Sequence, residues 1–368
     1  MEKRNIEEAL KEHLENIGLG YGRSDAMIEL LKYNLAQDEL EVILGLPPNL
    51  PPFEVEEIDI IARRAGIEPE KAGKALEGLA KKGFVYKETT GSGKPGYGFI
   101  QWGFGFPQIF FWKGENTSYA KKMAELCAQN YKESNSLDKA RGTENAKSFR
   151  YLPIEKAVDY TLQGVLPYEQ MTGIIERAEV IAVVHCPCRM QQDLLEKRQC
   201  NHSLENCLKF NDMARFVIEK GIGREITNEE AVKIIKKTEE EGLIHFVDNC
   251  QDDVHHNCNC CPCCCWNIYP IKSRKVPRDF IMDTYFLRIT EDQECTGCGL
   301  CVDACPLEII TMEDGHPVAD QSVCIGCGVC LSPCLSGAAK LKRREDKRPP
   351  FATFQELHQT QIKEVMHQ

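Results

Sequence analysis

Long apolar runs are scarce in this sequence. The longest uncharged stretch, Pro95 to Trp112, has the length of a membrane span but carries Pro95, Pro107 and the glycines Gly96, Gly98, Gly103 and Gly105, a composition that argues against a spanning helix. The opening "MEKRNIEEALKEHLENIG" is charged and amphipathic and lacks the apolar core of a secretion signal, so the chain is expected in the cytoplasm. Positive charge is also short. A formal net charge of −11 argues against broad affinity for nucleic acid or an anionic membrane, since both need a positive field. Several catalytic signatures are missing too: "GSGKPG" lacks the P-loop pattern, "GIGRE" is not a dinucleotide fingerprint, and no CxxC pair is followed by the histidine of a haem attachment site.

What the sequence has in excess is cysteine. Hydrophobic and charged fractions of 42% and 27% are ordinary for a folded protein and exclude disorder or a fibrous architecture, and 368 residues leave room for about two or three domains. Twenty cysteines are not ordinary. A disulfide framework belongs to small secreted domains, whereas clustered thiols in a reducing cytosol point to metal ligands or catalysis.

The pattern predicts an α+β multidomain chain. Residues 1–115 hold only apolar patterning. Ile58, Ile60, Ile61 and Ala65 mark one helix; Ala72, Ala75, Leu76 and Leu79 mark a second that opens at Pro69 and closes at Gly83. "FVYKETTGSGKPGYGFI" is a hairpin around a Gly/Pro tip. Helix, helix and hairpin resemble a winged helix-turn-helix over residues 40–100, but residues 1–113 carry 14 Lys+Arg against 18 Asp+Glu, so a protein-contact or structural module is expected over a DNA reader, which shows a basic face. The aromatic run "YGFIQWGFGFPQIFFW" is expected to bury against the middle domain. Residues 116–149 read as a helix from Tyr119 to Tyr131 and then a linker, with Cys127 a packed or spare thiol.

Residues 150–285 read as a small cysteine-rich α/β domain. Val180 to Val184 is a buried strand delivering Cys186 and Cys188; a helical stretch with Cys200 and Cys207 is expected next. Thr227 and Glu230 form a capping box for a helix that ends near Gly242, and "LIHFV" is a second strand, ending near Cys250. The two strand ends are expected to converge. Cys186, Cys188, Cys200 and Cys207 make one set of four thiols; Cys258, Cys260, Cys261, Cys263, Cys264 and Cys265, with Cys250 nearby, offer a subset for another. Adjacent side chains on extended backbone point to opposite sides, so one metal cannot take all six of the crowded cysteines. Zinc and buried packing are the competing uses of these thiols. His185, His202, His255 and His256 flank them and read as exposed or capping rather than ligating.

Residues 286–345 carry "CTGCGLCVDACP" and "CIGCGVCLSPC", which resemble the doubled C-x2-C-x2-C-x3-C run of a bacterial dicluster ferredoxin. The second run departs from it, with Pro333 before its last cysteine and Leu335 after. The resemblance implies two [4Fe–4S] clusters, with the first three cysteines of each run on one cube and the fourth crossing to the other. Cluster I would take Cys295, Cys298, Cys301 and Cys334; cluster II would take Cys324, Cys327, Cys330 and Cys305. Gly297, Gly299, Gly326 and Gly328 would let backbone N–H groups approach the sulfides. Residues 346–368 form a tail.

"HCPCR", "ENCLKF", "GIGREITNEEAVKII", "GLIHFV" and "CNCCPCCC", followed by the ferredoxin runs, are similar to a family of large ferredoxin-like multi-cluster Fe–S proteins of anaerobes, over residues 40–345. That resemblance implies low-potential electron transfer in anaerobic metabolism. The expectation is an electron carrier or electron-transfer subunit with one or two clusters beyond the ferredoxin pair, serving a partner oxidoreductase, without a membrane span and with DNA not expected as a partner. The competitors are an Fe–S enzyme or reductive activator with an open-site middle cluster, and a redox-sensing winged-helix transcription regulator.

Overall fold

A computed structural model describes residues 6–17, 21, 23–134, 143–157 and 166–366; the expected linker lies partly outside them, at 135–142. The described residues form thirteen α-helices and several small sheets, a mixed α/β architecture. They divide into two compact units, one of residues 1–146 with 358–368 and one of residues 147–357.

The first unit begins with α1 (Ile6–Glu15), α2 (Asp25–Asn34) and α3 (Gln37–Ile43). Ser24 starts α2 by accepting the Met27 N–H at 3.0 Å, satisfying one of the amides a helix N-terminus leaves open. Strand β1 (Glu56–Glu57) leads into α4 (Ile58–Ala65), which Gly66 ends in the left-handed conformation, and Pro69 opens α5 (Pro69–Lys81). On α5 the expected stripe of Ala72, Ala75, Leu76 and Leu79 is buried. On α4 the inward pair is Ile61 and Ala62, while Ile60 is 42% exposed, because 3.6-residue periodicity turns position 60 away from the face that 61 and 65 share. Strands β2 (Val85–Thr89) and β3 (Pro95–Phe99) form the hairpin, and β1 adds to β3 to give an antiparallel sheet ordered β1-β3-β2.

The aromatic run folds into this same unit. Phe99 and Phe106 each lie 5.3 Å from the Tyr21 ring, and Phe106 lies 5.8 Å from Phe84. The expectation of burial against the middle domain is thus corrected: the run finds its ring partners among residues of its own unit. Helix α6 (Ser118–Glu133) carries buried Cys127.

The second unit is built on a six-stranded antiparallel sheet ordered β4-β8-β10-β6-β5-β7. Its strands are β4 (Phe149–Leu152), β5 (Ile181–His185), β6 (Glu205–Phe210), β7 (Arg224–Glu225), β8 (Ile244–Asp248) and β10 (His256–Cys260), with β9 (Cys250–Asp252) apart from it. Helices α7 (Met171–Arg177), α8 (Pro187–Leu194), α9 (Asn211–Glu219), α10 (Asn228–Glu240) and α11 (Ile268–Arg274) belong to this part. Thr227 caps α10 by accepting the Glu230 N–H at 3.3 Å, and Gly242 follows its end at φ +70°. Two expectations are corrected. Cys200 follows α8 in a segment without helix or strand, and Cys207 lies on strand β6. The sheet order also makes β5 and β8 run in opposite directions, so their cysteine-bearing ends do not converge. The strand that runs the same way as β5 and ends at the same edge of the sheet is β10, with β6 between them; its Cys260 pairs with Ile244 at the start of β8.

The ferredoxin runs sit between two antiparallel pairs. Strand β11 (Phe286–Thr290) pairs with β14 (Ala339–Arg343), and β12 (Ile310–Glu313) with β13 (His316–Ala319). A short helix α12 (Leu300–Asp303) follows Cys298. Strand β15 (Phe351–Thr353) pairs with β9 and leads into α13 (Phe354–Met366).

Candidate metal centre

In the ferredoxin region the backbone bends so that two small cavities form. Cys295, Cys298, Cys301 and Cys334 line one, and Cys305, Cys324, Cys327 and Cys330 line the other. Each therefore draws three cysteines from one run and the fourth from the other. The bends need glycine. Gly297 and Gly326 hold φ of +67° and +62°, and a Cβ at Gly297 would lie 2.7 Å from the Gly315 carbonyl oxygen while one at Gly326 would run into the Phe286 carbonyl. A side chain would be strained by its φ and blocked by backbone at both places. Four thiols per cavity with backbone at close approach fit a cube that takes four thiolates.

The electrostatics differ between the two sets. Burial pushes the Cys330 thiol up to about 12, and the charge of Cys305 adds to it. Burial also raises Cys334, but backbone N–H groups outweigh it and bring that thiol below its ordinary range; the Ala339 amide donates to its Sγ at 3.3 Å. Cys298 is exposed, whereas all four thiols of the other cavity are buried. Between the cavities stands Arg288, buried and lining both. It donates to Cys301 Sγ at 3.6 Å and to the Pro317 carbonyl at 3.1 Å.

The middle cysteines separate into two groups that do not follow their order in the sequence. Cys186 sits at the N-cap of α8 and Cys188 in its first turn. A chain of thiol contacts then runs from Cys186 through Cys188, Cys265, Cys260 and Cys258 to Cys207; the last pair is 3.9 Å apart. Hydrogen bonds from Cys188, Cys207 and Cys188 with Cys260 pull Cys186, Cys258 and Cys265, respectively, below the usual thiol range. The second group is Cys200, Cys261, Cys263 and Cys264, whose sulfurs all lie within 4.8 Å of one another. Cys200 therefore stands with the crowded block and not with Cys186, Cys188 and Cys207. Alternation on β10 puts Cys258 and Cys260 on one face, and the turn that follows sends Cys261, Cys263 and Cys264 to the second group before Cys265 returns to the first. Cys250 joins neither; it is buried, and burial drives its thiol up.

A buried arginine braces the second group. Arg189 is fully buried; it donates to the Ser203 and Asn259 carbonyls at 2.6 Å each, to Asn206 Oδ1 at 3.1 Å and to Cys261 Sγ at 3.5 Å. A hydrogen bond from Cys264, with Arg189 assisting, brings the Cys261 thiol down to about 4. The histidines face carboxylates: His202 lies 3.4 Å from Glu241, His255 3.3 Å from Asp253 and His256 3.5 Å from Asp248.

Tyr151 lies within electrostatic reach of both regions. Burial pushes its hydroxyl far up, and Cys265, Cys260 and Cys327 press it in the same direction. The hydroxyl has no hydrogen-bond partner among the described residues. The nearby Ile154 N–H donates to the Cys327 carbonyl at 3.0 Å. Arg189, Arg288 and Tyr151 carry no motif. Only the juxtaposition of Arg189 with Cys188 in "HCPCR" could have marked one of them.

A family model described as a 4Fe-4S dicluster domain matches residues 287–335, the segment that contains both runs. No curated protein and no solved structure matches the chain. The match and the two four-cysteine cavities identify the cofactors of this region as [4Fe–4S] clusters, whose chemistry is one-electron transfer. Among the described residues no helix is long and apolar enough to cross a membrane.

Proposed function

We propose that the protein is a multi-cluster electron-transfer protein that exchanges low-potential electrons with a partner oxidoreductase in anaerobic metabolism. The observation that carries this is that the two four-cysteine cavities of the ferredoxin region lie in the same compact unit as the six-thiol group. Cys295, Cys298, Cys301 and Cys334 would hold one cube, Cys305, Cys324, Cys327 and Cys330 a second, and four of the six thiols Cys186, Cys188, Cys207, Cys258, Cys260 and Cys265 a third. The crossed lining of the two ferredoxin cavities supports the first two sets. The exposed Cys298 marks the surface end of the path, with Leu335, 95% exposed, next to its partner Cys334.

Six neighbouring thiols exceed the four that a cube takes, which weighs against an open iron site for substrate. The module of α4, α5 and the three-stranded sheet supports a winged-helix-like domain over residues 1–115, used for protein contact. Its lysines face carboxylates: Lys71 pairs with Glu41 at 3.1 Å, Lys74 with Glu70 at 2.7 Å, and Lys82 with Glu39 at 2.5 Å. A DNA backbone would have to compete with those partners. The function is tested by an EPR-monitored reductive titration of anaerobically purified protein. Three reversible one-electron steps with spin coupling between neighbouring clusters are expected. Clusters that take up no electron reversibly would refute the proposal.

A further inference from the structure

We propose that Cys200, Cys261, Cys263 and Cys264 bind a single metal ion as a closed tetrahedral tetrathiolate, and that this site is not a cube. Cys200 Sγ is 3.8 Å from both Cys261 Sγ and Cys264 Sγ, and Cys263 Sγ is 3.7 Å from Cys264 Sγ. A metal–sulfur bond of about 2.3 Å makes the edge of a regular tetrahedron of thiolates about 3.8 Å. A cube holds its thiolates farther apart, because its own irons and sulfides lie between them.

The same molecule supplies a comparison. The eight ferredoxin cysteines line cavities in two sets of four, yet among the described residues no three of them come within 4.8 Å of one another, as the four sulfurs of this site do. Cysteines spread around a cavity and cysteines grouped around a point are thus both present in one chain.

The surroundings fit an ion that stabilises structure. Cys261 and Cys264 are buried on Leu243, and Cys200 and Cys263 pack against that cluster at its edge. Cys200 belongs to residues 195–204, a segment without helix or strand, which the ion would tie to the turn after β10. Four thiolates around a divalent ion leave a net charge of −2, and two cations stand against it: Arg189 at 3.5 Å from Cys261 and Arg198, whose charge interacts with Cys200. A set of four soft thiolates in tetrahedral array selects zinc or a mononuclear iron, and both share this chemistry. The site goes beyond the electron-transfer proposal and stands or falls without it.

The test is metal and acid-labile sulfide analysis of the full chain purified without oxygen, with X-ray absorption at the zinc and iron edges. One equivalent of zinc surrounded by sulfur at about 2.3 Å is expected, or, if the ion is iron, one iron in excess of sulfide. Cys263→Ser, at the half-buried position, should lower that ion's content about tenfold while sulfide-matched iron stays unchanged. As a check that does not depend on a variant folding, cobalt(II) reconstitution of the wild type should give the intense visible d–d bands of a tetrahedral sulfur site. Absence of zinc, iron fully matched by sulfide, and loss of about four irons with four sulfides in Cys263→Ser would overturn the proposal in favour of a cube.

Discussion

Arg288 is the side chain through which the two ferredoxin sets are most directly coupled. Its guanidinium lines both cavities and donates to Cys301, so it places a buried positive charge beside centres that become more negative on reduction. Removing that charge disfavours the reduced state, as charges near sulfur tune cluster potentials generally. Arg288→Gln is expected to lower at least one ferredoxin potential by roughly 60 mV, the equivalent of about 1.4 kcal/mol for one electron, at unchanged iron content. Unchanged potentials in a fully loaded variant would show that the Arg288 charge is balanced locally and has no tuning role. No spacing rule reveals this arginine in the sequence. It is one charged residue on strand β11, and its importance arises only when β11, β13 and both cysteine runs fold around it.

At the scale of elements, what was legible depended on how local the determining interaction is. The helices 58–65, 69–81 and 228–240 were readable because their apolar spacing, the opening Pro69, the capping Thr227 and the stops at Gly83 and Gly242 all lie within or next to the segment itself. The two ferredoxin runs were readable for the same reason, since three of each set's four cysteines lie within seven residues. The middle thiols were not. Their grouping follows from β10 lying between β8 and β6, an order that no local pattern specifies, and from the turn at Pro262 that divides one cysteine block between two groups. The aromatic run was misplaced because ring burial states how much surface is covered but not which unit covers it. That packing makes a prediction for the first unit: Phe106 is fully buried against Tyr21, Phe84 and Phe110, so Phe106→Ala should destabilise it by about 3–5 kcal/mol through lost burial and the cavity left behind. Chemical denaturation followed by tryptophan fluorescence measures this, and a loss under about 1 kcal/mol would show that the aromatic cluster collapses to fill the space.

For the whole molecule, chemistry is concentrated in the second unit, where nineteen of the twenty cysteines lie; Cys127 alone belongs to the first. The first unit has paired lysines and an acidic balance, while the second would carry the electrons. On the proposed function, cubes extend beyond the ferredoxin pair into the six-thiol group. Its most direct test is the iron and acid-labile sulfide content of anaerobically purified protein. About twelve irons and twelve sulfides per chain, three cubes, are predicted. About eight of each would confine the clusters to the ferredoxin region and contradict a cube in the six-thiol group.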